Sequence, residues 1–277
     1  MMWQLMRIEW FKLFKQQRTY WALAAILIIE GSVLVGAYFQ GTEIIELLLE
    51  NLRKSFYFKG KLLNGNLMIY LLLNTLWFHL PLILMILVSG MMTTEYKDKT
   101  LQATFLQPVK KESFILSKYL VALQLTILVL AFLALTSVLL SNMLFGQGDL
   151  IVYLESLNFF TNEEAKERIL FAFISGGFSM LFYTVVSMTL AIIIKEATAT
   201  WIAATFFLVF TNLLLKIDLN STFLNQWAYV KLIDSWQYFF YPEVEWEQVS
   251  FNTVLLFIYT VATALFGSYL FIKKDLE

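Results

Sequence analysis

TTEYKDKTLQATFLQPVKKESFILSK, residues 93–118, is polar and basic, and it lies between two long apolar segments. Leu101, Phe105 and Leu106 recur at helical spacing, with Lys97, Lys99, Gln102 and Gln107 around them. That pattern predicts a short surface helix with a narrow apolar edge. Pro108 ends it, because proline lacks an amide hydrogen and restricts the residue before it. Lys110, Lys111 and Lys118 follow before the next apolar run. A short helix held between two rigid spans is well shaped to receive a push from a soluble partner.

The composition on either side fixes the fold class. The chain has 277 residues, 59% of them hydrophobic and 15% charged. A soluble domain is nearer 45–50% apolar and about 25% charged. Here the excess is gathered into runs of bilayer-crossing length, about 20 residues each. The sequence therefore predicts an all-α integral membrane protein with six transmembrane helices, at about 20–39, 67–92, 119–145, 169–194, 199–215 and 251–272, in a single transmembrane domain. The first run is too long for a signal-peptide core and no A-x-A site follows, so it is expected to stay as an anchor. Pro81 lies inside the second run, where a kink is expected.

The segments between the runs are unequal. Residues 3–18 read as an amphipathic elbow helix lying on the membrane, with Trp3, Met6, Trp10, Leu13 and Phe14 on one arc and Arg7, Lys12, Lys15 and Arg18 off it. Residues 40–66 form one connecting segment, whose EIIELLLENLRKSF portion suits a short amphipathic helix. Residues 146–168 read as a polar, acidic loop. Ser175, Gly176, Gly177 and Ser179 are small enough to let another helix approach closely. Only Lys195–Thr198 separate the fourth and fifth runs, which makes them an antiparallel hairpin. No internal repeat is visible.

Six spans put both termini on one side. Twelve of the twenty lysines and arginines fall in the segments on that side, although the opposite loops are much longer. Positive-inside counting therefore places the N- and C-termini in the cytoplasm. With no cysteine and one histidine, disulfides, thiolate chemistry and multi-histidine metal sites are excluded. No GxxxxGK[ST] run occurs to cradle nucleotide phosphates.

The order Glu95, Thr100-Leu101, Pro108-Val109-Lys110-Lys111 and Lys118 resembles the loop between the second and third spans of type-2 ABC transporter permeases. Lys99 stands where that family usually carries a glycine. The resemblance implies that this loop holds the coupling helix, with Glu95, Thr100, Leu101, Phe105, Pro108, Val109 and Lys110 as the residues that meet an ATPase. It further implies two ABC ATPase subunits as partners, a second permease copy or homologous permease, membrane lipid, and a bacterial plasma-membrane location. ATP and magnesium would then sit on the partner ATPase, with no cofactor, metal, nucleic acid or catalytic residue on this chain. The cargo classes it suggests are antimicrobial peptides, drugs and lipids.

Two further places hold candidate residues. Glu30 and His79 lie within the first two runs, about 15 and 20 Å from the ends taken as cytoplasmic. An ionisable group there costs about 2.5–3.5 kcal/mol on insertion scales, so it needs a partner, a proton or a water-filled cavity. Glu30 and His79 either pair as a polar point on a substrate path, or form a structural hydrogen bond between spans, or Glu30 is protonated. In 216–250, Trp236, Phe240, Tyr241 and Pro242 suit either an outer-leaflet hairpin that re-enters the membrane, as in the family, or interfacial anchoring. The alternatives to an exporter subunit are an intramembrane peptidase-like enzyme and a secondary transporter. The first needs converging polar groups and the second shows repeated halves. Co-purification with an ATPase separates the exporter from both.

Overall fold

The computed structural model describes residues 2–53, 63–154, 156–217 and 221–273. Its elements are α1 (Met2–Lys15), α2 (Gln17–Arg53), α3 (Gly65–Lys97), α4 (Thr100–Phe105), α5 (Lys111–Phe145), β1 (Leu150–Tyr153), β2 (Leu157–Phe160), α6 (Asn162–Ile194), α7 (Ala197–Leu215), α8 (Thr222–Trp227), α9 (Tyr229–Leu232), a 3-10 helix (Ser235–Phe240) and α10 (Trp246–Lys273). Six of these, α2, α3, α5, α6, α7 and α10, are long and apolar enough to cross a membrane. The fold is the six-span, all-α membrane protein that the composition implies.

The helices overrun the polar boundaries. α2 continues to Arg53, through most of the segment read as a separate connection; Lys54, Ser55 and Phe56 of that reading lie outside the described residues. α3 runs as one helix past Pro81 to Lys97, and α5 already begins at Lys111. Where α3 and α5 overrun, Glu95 of α3 pairs with Lys118 of α5 across the two helices. The central loop shrinks to residues 98–110 with α4 inside it.

The segment 146–168 is more ordered than a loop. An antiparallel hairpin pairs Leu150 with Phe160 and Tyr153 with Leu157. Burial alternates along both strands, as suits a half-buried ladder. Thr161 then caps α6, its hydroxyl accepting from the Glu164 amide while the Glu164 carboxylate accepts from the Thr161 amide.

α6 is the central helix: 72% of its apolar window is buried, against 17% for α2 at the periphery. Small and hydroxylated residues let its neighbours close in. A methyl group at Gly176 would overlap the Trp77 indole of α3. The Ser187 hydroxyl donates to Met85 O of α3 at 2.6 Å, and Thr126 and Thr184 join α5 to α6 at 2.7 Å. Ser179 donates to Ile233 O at 2.7 Å, and Tyr119 meets Thr189 at 2.8 Å. The faces turned away, with Ile28 and Phe39 of α2, Leu128 and Leu135 of α5, and Phe206 of α7, are exposed and apolar, as a lipid-facing surface requires.

Candidate functional site

The chain places its densest polar cluster at the bundle end that carries α4. Lys118, with no exposed surface, lies one turn inside the start of the apolar part of α5. Its ammonium donates to Glu9 Oε2 of α1 at 2.8 Å, to Glu95 Oε1 of α3 at 3.1 Å and to Met91 O at 3.0 Å. Lys12 adds bonds to Glu95 Oε1 at 2.6 Å and Glu9 Oε1 at 3.2 Å. The Thr100 hydroxyl, at the first residue of α4, donates to the Glu95 carboxylate. Two carboxylates thus meet two ammonium groups with their lone pairs occupied. Such a balance is what makes a buried ion cluster tolerable.

Arg18 closes the neighbouring gap. Its Nη2 donates to Gly90 O at 2.9 Å and to the Thr94 hydroxyl at 3.0 Å. A methyl group at Gly90 would overlap the guanidinium, so the glycine makes room for it. At the other side of α4, Phe105, Phe114 and Phe271 form an aromatic cluster with centroids 5.2–6.3 Å apart, which brings the end of α10 to this same end of the bundle. α1 and the end of α10 therefore lie at the same end of the bundle.

Between these anchors, α4 is a short hook. Its N-cap, Lys99, has φ 54° and ψ 27°, the left-handed region that favours glycine. A lysine holds that backbone here, at a cost of about 1–2 kcal/mol. Leu101 is buried and Phe105 is half-buried against Phe114 and Phe271. Leu101 and Phe105, read as the apolar edge that meets a partner, are thus turned inward in this chain, Phe105 toward α5 and α10. Leu106 is the exposed apolar residue instead, at 89%, with Gln107, Pro108 and Lys110 exposed beside it and Val109 half-buried.

α1 also buries one side against the bundle. Met6, Glu9 and Leu13 form the buried face, while Trp3, Phe11 and Phe14 are exposed. Glu9 was missed because a lone glutamate in an amphipathic helix looks solvated. Its signal was Lys118, a lysine set at the start of an apolar span without a local partner.

Glu30 and His79 are not brought together. His79 Nδ1 lies 2.8 Å from Thr75 O within α3, and the nearest polar side chains to Glu30 are Thr136 and Ser137 of α5. Similar depth along two helices does not fix their rotation, and here the two side chains point to different neighbours.

At the opposite end, the segment between α7 and α10 folds inward. Trp236, Phe239 and Phe240 are buried, with Trp77 4.9 Å from Trp236 and Tyr70 4.8 Å from Phe240 between centroids. Arg168 of α6 clamps the turn that follows, donating to Phe239 O at 2.9 Å, Tyr241 O at 2.8 Å and Pro242 O at 3.1 Å. Trp236, Phe239 and Phe240 pack as core, while Tyr241 is half-buried and Pro242 exposed. Beside them a polar cavity of about 560 Å³ is lined by Lys216, Lys231, Asp234, Gln237, Tyr238 and Asn252 among others. Burial pushes the Asp234 carboxyl up to about 6, against the opposing effect of the Trp236 and Gln237 side chains.

Among the described residues no group of three or more histidine, aspartate or glutamate side chains is placed to hold a metal. The family model described as ABC-2 family transporter protein matches residues 5–212, from α1 to near the end of α7. No curated protein matches the chain.

Proposed function

The chain belongs to the ABC-2 family of transporter proteins, and we propose that it is the membrane subunit of an ATP-driven exporter, coupled to a separate ATPase through α4 and the residues after it. It is a transport component of the membrane and not the ATPase itself. In this reading two permease chains, identical or homologous, form the path, each resting on one ATPase subunit. ATP and magnesium act there, and closure of the ATPase pair pushes on the hook. The α4 end faces the cytoplasm of a bacterial cell, as the basic residues at 7–18, 97–118 and 195 favour. Cargo of an amphipathic class, an antimicrobial peptide, drug or lipid, suits the aromatic segment 216–250.

One observation carries the coupling role. Leu106 projects from a hook whose two roots are pinned, by Thr100 to Glu95 on one side and by Phe105 to Phe114 on the other. A push on Leu106 is then delivered to α3, α5 and, through Glu9 and Lys12, to α1 without being absorbed by a loose loop. The test is capture of the ATPase by the full chain. Leu106→Asp should release it, with the permease still in the membrane, because charge at a central apolar contact commonly costs 2 kcal/mol or more. Lys110→Ala, at a rim, should chiefly change the salt dependence of capture. Undiminished capture and coupled hydrolysis with Leu106→Asp would overturn the assignment.

A further inference from the structure

Buried side-chain atoms without a hydrogen-bond partner are few among the described residues, and most lie along the packing of α2 and α5. They are both carboxyl oxygens of Glu30, the hydroxyls of Ser137 and Ser141, and the amide oxygen of Asn142. Glu30 has no exposed surface. The two helices run parallel and in step: Ser137 lies beside Glu30, and eight residues on in each chain direction the rings of Tyr38 and Phe145 meet at 6.2 Å. Ser137 and Ser141 are one turn apart on one buried face of α5, and half-buried Asn142 brings the series to the hairpin end.

These groups are not satisfied in the usual way. Other hydroxyls on α5 donate to the carbonyl one turn back, as Thr126 does to Ala122 O and Thr136 to Phe132 O, but Ser137 and Ser141 do not. Among the described residues no charged side chain acts on Glu30: α5 offers it Thr136 and Ser137, and the His79 ring of α3 is engaged with Thr75 O. An ionised carboxylate here would be an uncompensated charge, which costs several kcal/mol. A carboxylic acid carries no charge and supplies a donor. Oxygens spaced by a helical turn are also the partners that a water needs, two to four at a time.

We propose that Glu30 is a proton-binding site, neutral in the resting chain, and that Ser137, Ser141 and Asn142 hold water connecting it to the hairpin end of the bundle. The occupant is a proton, delivered and withdrawn along that row of oxygens. The site stands apart from α4 and does not depend on what docks there.

Two measurements on the full chain in lipid vesicles test it. The infrared spectrum of the parent at neutral pH should contain a protonated-carboxyl carbonyl band that Glu30→Gln removes. Absence of that band means an ionised Glu30 and overturns the proton site. The water path is read with a water-soluble carbodiimide, which adds the O–H of a neutral carboxylic acid across its C=N bond, so that the acid oxygen joins carbon and the proton goes to nitrogen. Added to the hairpin side, it should modify Glu30, located by peptide mass spectrometry, at least fivefold faster in the parent than in Ser137→Val/Ser141→Val. Equal rates, or no modification while the apolar dicyclohexylcarbodiimide modifies Glu30, would overturn the path.

Discussion

The Lys118 ammonium lies 2.8 Å from Glu9 Oε2, joining the first helix of the chain to the fifth across 109 residues of sequence. Among the described residues Lys118 has no carboxylate partner within α5, whereas Glu9 also meets Lys12 of α1 at 3.2 Å, so the Lys118 contact is the one that orients α1 against the bundle. Glu95, between them, makes the arrangement a cluster rather than a pair.

Removing the central cation should therefore be severe. Lys118→Met leaves two buried carboxylates facing Lys12 alone, and the expected loss is about 3–5 kcal/mol, read as a lowered unfolding midpoint in detergent. Glu9→Gln and Glu95→Gln added to Lys118→Met should recover most of it. A triple variant no more stable than the single one would show that packing, not charge, holds α1.

The Gly90 position should tolerate no side chain while Arg18 is present. Gly90→Ala is expected to cost about 1–3 kcal/mol by displacing the guanidinium from Gly90 O and Thr94. Combined with Arg18→Ala, the methyl group should add almost nothing, so a thermodynamic cycle should show strong coupling. Additive losses would contradict the contact.

Phe105 and Leu106 should separate folding from docking. Phe105→Ala opens the cluster with Phe114 and Phe271 and should cost about 2 kcal/mol of stability. Leu106→Ala should leave stability within about 0.5 kcal/mol, because the side chain touches little in this chain. If Leu106→Ala proves the more destabilising in thermal unfolding, the inward and outward assignments are reversed.

The proposed orientation is open to labelling, because the chain has no cysteine of its own. Cysteines at Gln147 and Gln226, both exposed at or near the hairpin end, should react with an impermeant maleimide on intact cells. A cysteine at Gln107 should react only after the cells are opened. Labelling of the Gln107 position in intact cells would invert the topology.

Asp234 sets a pH dependence. Its folded value, about 6, is above the ordinary aspartate value, so the folded state holds the proton more tightly than the unfolded chain. The stabilisation is full below pH 4 and is lost as pH rises through 6, a change of roughly 3 kcal/mol. The unfolding midpoint of the parent, relative to Asp234→Asn, should fall between about pH 4 and pH 6.5 and level off above. A difference that does not change with pH would mean that the carboxyl is solvated.

Periodicity and composition were enough for the six helices, since a run of apolar residues has no cheaper way to cross a bilayer than as a helix with its own hydrogen bonds. They also marked 93–118 as the special loop, because Pro108 and the lysines interrupt an otherwise apolar chain. What they could not supply was rotation. Whether Leu101 or Leu106 faces outward, whether Glu30 meets His79 or Ser137, and whether Trp236 lies in the interface or the core all depend on the azimuth of each helix about its axis. In helices apolar on every side, such as α3, α5 and α6, no polar face sets that azimuth. It is decided by contacts far apart in sequence: Lys118 with Glu9, Gly176 with Trp77, and Arg168 with the carbonyls of 239–242. The spans were therefore local information, and the faces they present belong to the tertiary structure alone.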